Sequence, residues 1–159
     1  MTVRDPLRIN FGFLTHQPIG SSREIHFDLV DHLLEPDLQL GFLKGVIRLN
    51  RTHEGVIADG DFEGNVQTEC ARCLENFTQP LHTTFQELYT FKGDLASEPS
   101  MLVPEDGNIE FAPLVREYLL VEMPINPICR PDCKGLCVVC GENLNLTTCE
   151  HQKPGKASD

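Results

Sequence analysis

The chain has 159 residues, seven of them cysteine, and a formal net charge of −11 at pH 7. With 40% hydrophobic and 23% charged residues it reads as one soluble globular domain's worth of protein. The acid excess argues against strong autonomous binding to nucleic acid, which usually needs a basic footprint. No apolar run approaches the roughly 18 residues a membrane span needs.

The chain opens on MTVRDPLRINFGFLTHQPIG, which lacks a basic start followed by an apolar run. A signal peptide is therefore not expected, and the reading is cytoplasmic. The stretch LQLGFLKGVIRLNRT, residues 38–52, predicts a strand with a bulge at Gly41 or Gly45. Residues 54–70 alternate. Val56, Ala58, Phe62, Val66 and Cys70 share one face, and Asp59, Asp61, Glu63, Gln67 and Glu69 the other, with Ile57 the exception. Period two predicts a half-buried strand, broken at Gly60 or Gly64. CARC follows as a turn, and the alternation resumes through Phe77, Leu81, Phe85, Tyr89 and Phe91. Pro80 cannot donate to a ladder, so this strand should lie at an edge or carry a bulge. KGDLASEPSMLVPEDGN reads as a loop. FAPLVREYLLVEMP reads as a helix near 111–122, with Pro113 in its first turn, Pro124 as its stop, and Leu114, Val115, Tyr118 and Leu119 on its apolar face. The predicted class is α+β: a mainly antiparallel sheet or partial barrel over residues 1–128, one covering helix, and a cysteine-rich zinc-knuckle tail over 129–159.

Five of the cysteines lie between Cys129 and His151. In a reducing compartment such clusters are metal or redox groups more often than bridges, and seven thiols suit a disulfide framework poorly. Zinc takes four thiolate or imidazole ligands, and CVVCG has the C-x-x-C spacing that brings two sulfurs to one ion. Seven cysteines and His151 make eight ligands, which is two tetrahedral sets. The preferred partition gives Cys137, Cys140, Cys149 and His151 one zinc ion, and Cys70, Cys73, Cys129 and Cys133 the other. A single zinc in the tail, with Cys70 and Cys73 free, is the plainer alternative. Arg72, Arg130 and Lys134 flank the thiols, either offsetting their charge or facing RNA phosphate. His16, His26, His32, His53 and His82 are scattered singly and read as surface or core. Filled ligand sets leave no open position for substrate, and no nucleophile motif, phosphate loop or dinucleotide fingerprint is present. The chain therefore reads as non-enzymatic, with no small-molecule substrate.

Two strings together carry a resemblance: CARCLENF and, after the helix, PINPICRPDCKGLCVVCGENLN with a later cysteine. With LRINFGFL, RTHEGVIADGDF and LVREYLLVEMP they extend it over nearly the whole chain, which resembles the YceD-like proteins of bacteria and plastids. Where that family's run usually ends in C-x-C, this one ends in Cys149, Glu150 and His151, keeping a zinc-competent atom. The resemblance implies a role in ribosome biogenesis, in the processing, stability or accumulation of large-subunit (23S) ribosomal RNA, and no known catalysis. The partners it implies are a large-subunit precursor, its rRNA, or a basic ribosomal or processing protein, the last favoured by the acidic charge. The competing reading is a thiol-redox or metal-relay protein using the Cys70–Cys73 pair. A zinc-dependent transcription regulator ranks last, for want of a basic recognition helix.

Overall fold

A computed structural model describes residues 5–93 and 101–151. The described residues fall into two compact units. One runs up to Val66 and includes Pro80–Met123, and the other takes in Gln67–Gln79 with the residues from Pro124 onward.

The elements in chain order are β1 (Arg8–Asn10), α1 (Gly12–Thr15), β2 (Ser22–Leu34), β3 (Leu38–Arg51), β4 (Gly55–Glu69), β5 (Asn76–Thr90), β6 (Asn108–Glu110) and α2 (Ala112–Val121). Four strands form one sheet in the order β2-β3-β4-β5, and β1 pairs with β6 in a second. The larger sheet is open, with β2 and β5 at its edges, so the partial barrel expected above is not closed. Pro80 accordingly lies on an edge strand. β2, β3 and β4 pair antiparallel. Side chains from β4 to β5 follow the same sense, Asp61 meeting His82 at 2.8 Å and Asp59 meeting Gln86 at 2.7 Å.

The expected bulge and break are absent. β3 keeps one register against β2 from Ser22↔Asn50 to Leu34↔Leu38, interrupted opposite Gly41, where Asp31 takes φ +48° without adding a residue, and one against β4 from Phe42↔Asn65 to Arg51↔Val56. The strand glycines instead make room for rings. A Cβ on Gly45 would collide with the Phe62 ring, and one on Gly60 with the Phe85 ring. Phe62 and Phe85 stack nearly parallel, with centroids 6.1 Å apart. Ala58 and Phe62 are fully buried, as the alternation requires, while Val66 is only partly so.

Pro113 stands in the first turn of α2, and the helix ends at Glu122, two residues before Pro124. Its buried side chains are Val115 and Leu119, with Leu114 and Tyr118 packed against the same core. Tyr118 stacks on Phe85 at 5.0 Å and donates its hydroxyl to Glu87 at 2.6 Å. The sequence pointed to one helix. A second, α1, is a single turn, and with β1 and β6 it brings Phe11 against Tyr89 and Phe111. Of the loop read over residues 92–108, positions 94–100 lie outside the described residues, as do residues 152–159 of the tail. Beyond the first of these gaps Leu102 bridges Thr90, and β6 pairs with β1. Among the described residues no helix is long and apolar enough to cross a membrane.

Candidate metal centre

All eight sequence-selected ligands lie in the second unit, where they form two groups. Cys70, Cys73, Cys129 and Cys133 make one, and Cys137, Cys140, Cys149 and His151 the other, with the ligand atoms of each group within 4.8 Å of one another. None of the seven cysteines is in a disulfide.

Both C-x-x-C segments are shaped by the same backbone bonds. In the first, Leu74 N–H donates to Cys70 O at 3.0 Å and Cys70 N–H to Glu75 O at 2.9 Å. In the second, Gly141 N–H donates to Cys137 O at 2.9 Å and Cys137 N–H to Glu142 O at 2.8 Å. The residue after the second cysteine has positive φ in each, +76° at Gly141 and +61° at Leu74. This curl turns amide groups toward the leading sulfur. Arg72 N–H lies 3.4 Å from Cys70 Sγ, and Val139 N–H 3.4 Å from Cys137 Sγ.

In the first group Cys70 and Cys133 sulfurs are 3.8 Å apart, and those of Cys73 and Cys129 are 3.7 Å apart. Four sulfurs placed tetrahedrally about 2.3 Å from a zinc ion would be about 3.8 Å apart. The donor set and its spacing therefore fit zinc. Burial pushes the Cys70 thiol up, but the N–H groups of Cys73, Cys129 and Arg72 outweigh it and bring it down to about 6. The Cys140 and Val139 N–H groups likewise bring Cys137 down to about 6 against burial. Asn145 lowers Cys133 through its side-chain amide, whereas burial and the neighbouring thiols push Cys129 up to about 12. Each group thus holds sulfurs primed as thiolates beside others that keep their protons until a cation displaces them.

The family described as "Large ribosomal RNA subunit accumulation protein YceD" matches residues 58–158, a stretch that contains both groups. The chain belongs to the YceD family. The resemblance seen in the motifs is therefore correct. An uncharacterized protein of Mycobacterium bovis is 29% identical over 153 residues, covering 89% of this chain and 72% of its own length. One from Mycobacterium leprae is 28% identical over 102 residues, 62% of this chain and 47% of its own. A maize chloroplastic protein named as a YCED homolog in large ribosomal RNA subunit accumulation is 39% identical over 49 residues, 31% of this chain and 17% of its own. No solved structure matches significantly.

The two arginines beside the thiols of this YceD chain are engaged locally through their side chains, and Lys134 through its backbone. Arg72 donates from its guanidinium to Cys133 O at 3.2 Å, Arg130 faces Asp132 at 3.5 Å, and the backbone N–H of Lys134 donates to Asn145 Oδ1 at 2.8 Å. Sequence reasoning missed Asn145, although it stands in the quoted CGENLN string. Its amide donates to Cys133 Sγ at 3.3 Å and to Asn143 Oδ1 at 3.0 Å. The two groups differ in exposure. Cys70, Cys73 and Cys133 are buried, while Cys140 and His151 are exposed.

Proposed function

We propose that this YceD-family chain is a non-catalytic, zinc-binding factor of ribosome biogenesis in the cytoplasm. It supports the accumulation or processing of large-subunit (23S) ribosomal RNA. Cys70, Cys73, Cys129 and Cys133 hold one ion, and Cys137, Cys140, Cys149 and His151 hold a second. Zinc here supplies no reaction. It organises a segment that buries few apolar side chains besides its cysteines. The observation that carries the reading is the pairing of two closed four-ligand groups with family membership. A closed set leaves no position for water or substrate. Arg72 acts as a neighbour that offsets thiolate charge, consistent with its bond to Cys133 O, while Arg130 is turned to Asp132. The thiol-redox alternative is weakened by burial, since Cys70 has no exposed surface for a substrate disulfide to reach.

The precursor of the large subunit is the partner, reached through its RNA or through a basic ribosomal or processing protein. Depletion in cells, followed by quantification of precursor and mature 23S RNA and by sedimentation of the tagged protein, tests this. Loss of mature 23S RNA and co-sedimentation with large-subunit precursors are expected. Unchanged RNA together with insulin-reductase activity of the purified protein would replace this reading with the redox one.

A further inference from the structure

The two knuckles share their hydrogen bonds but not the residue at the left-handed position. Gly141 takes φ +76° there without steric cost, whereas Leu74 takes φ +61°. A branched side chain in that region is strained. The strain is not offset by packing, because Leu74 is 55% exposed and is not a member of the small core around Cys70, Cys73 and Cys133. Glycine would fold the same turn. The exposed apolar side chain is therefore unexplained by contacts within this unit. The second knuckle exposes apolar side chains at a different place, with Val138 fully exposed and Val139 67% exposed between its cysteines.

Charge decides what would cover these tips. Over residues 67–79 and 124–159 the sequence carries six Asp or Glu and five Lys or Arg, a net charge of −1 before the thiols are counted. Zinc in a four-thiolate set leaves two further negative charges, and in a three-thiolate, one-imidazole set one more. The unit is thus close to neutral without metal and clearly anionic once both sets are filled, which favours a basic partner over phosphate. The acidic strand face of β4 is less available than its sequence implies. Asp61 is engaged by His82, and Asp59 by Gln86 and Asn50.

We propose that the knuckle tips, Leu74 on one and Val138–Val139 on the other, are the docking surface for a protein segment that combines lysine or arginine with an apolar side chain. This rests on the ribosome-biogenesis reading and names the partner's chemistry. Leucine at position 74 is the anchor that the partner buries, and the surrounding carboxylates and thiolate groups steer the basic segment onto it.

The test uses the full-length zinc-loaded protein and its Leu74→Gly and Val138→Ser/Val139→Ser variants. Zinc content and the urea midpoint are measured beside two binding assays. One is co-sedimentation with large-subunit precursor particles, and the other is titration with a synthetic lysine–leucine repeat peptide, an all-lysine peptide of equal charge, and protein-free large-subunit RNA. Leu74→Gly should keep its zinc and an equal or higher urea midpoint, yet bind particle and lysine–leucine peptide roughly tenfold or more weakly, as loss of a buried leucine requires. The all-lysine peptide should bind less well and not distinguish the proteins. Wild-type binding of particle and lysine–leucine peptide by Leu74→Gly would overturn the surface while leaving the ribosomal role in place. Binding of protein-free RNA that the variants abolish would make RNA the occupant instead. Should the wild type itself fail to sediment with the particle, the ribosomal reading falls, and the peptide titration still judges the surface.

Discussion

Asn145 bonds a sulfur and two chain segments through one side chain, taking the Lys134 N–H and donating to Cys133 Sγ and Asn143 Oδ1. Groups that orient a ligand in this way typically contribute tenfold to a hundredfold in metal affinity. Asn145→Ala should weaken zinc at the Cys133 group by roughly that factor in chelator competition. The Cys137 group should be much less affected. A second expectation concerns pH. In the folded arrangement Cys70 and Cys137 are lowered from 9.0 to about 6. A thiol lowered on folding stabilises the folded state fully above its unfolded value, and that contribution is lost as pH falls through the folded one. Protons therefore compete with metal for these sulfurs on acidification, and zinc release followed with a chromogenic chelator should begin at higher pH in Cys70→Ser than in the wild type. The two four-residue groups were legible in the sequence because C-x-x-C spacing is a local geometric requirement. Asn145 was not, because its target sulfur is 12 residues away and only the folded turn aims the amide at it.

The sheet strands show how far periodicity reaches. β4 and β5 were legible because one face of each is buried and the other wet. β2 was not. Of its 13 residues only Phe27 and Leu34 are buried, and Val30 is 75% exposed, so an edge strand leaves little alternation to read. β1 and β6 are three residues each, and their pairing depends on partners far apart in the chain, as in the Asn10 to Asn108 bond. The strand glycines were misread for a related reason. Sequence treats Gly60 as a weak point, whereas its cross-strand neighbour fills the space with Phe85. Gly60→Ala should destabilise the sheet by about 1–3 kcal/mol in urea unfolding, the usual cost of overpacking a core. Leu119→Ala, removing a fully buried side chain from α2, should cost about 2–5 kcal/mol by the same measurement.

For the whole molecule, the two units rest on different physics. The first has a broad apolar core reaching from Leu7 to Leu119. In the second, the apolar cluster around Cys70 has six members, four of them cysteines, so its order depends on what the sulfurs bind. A chelator should strip amide-exchange protection from residues 67–79 and 124–151 while residues 38–66 stay protected. Equal loss in both would mean that the metal supports the entire fold. The composition made the acidic and thiol-rich character legible, and counting eight candidate ligands already paired the distant turn with the tail, a pairing whose geometry the coordinates then supply. That grouping has a consequence in time. Cys73 and Cys129 are 56 residues apart. At roughly 5–20 residues per second of synthesis, CARC emerges about 3–11 s before its partners. During that interval it offers half a ligand set. A filled first group therefore records that translation has passed Cys133, and no chain stopped short of that point can carry it.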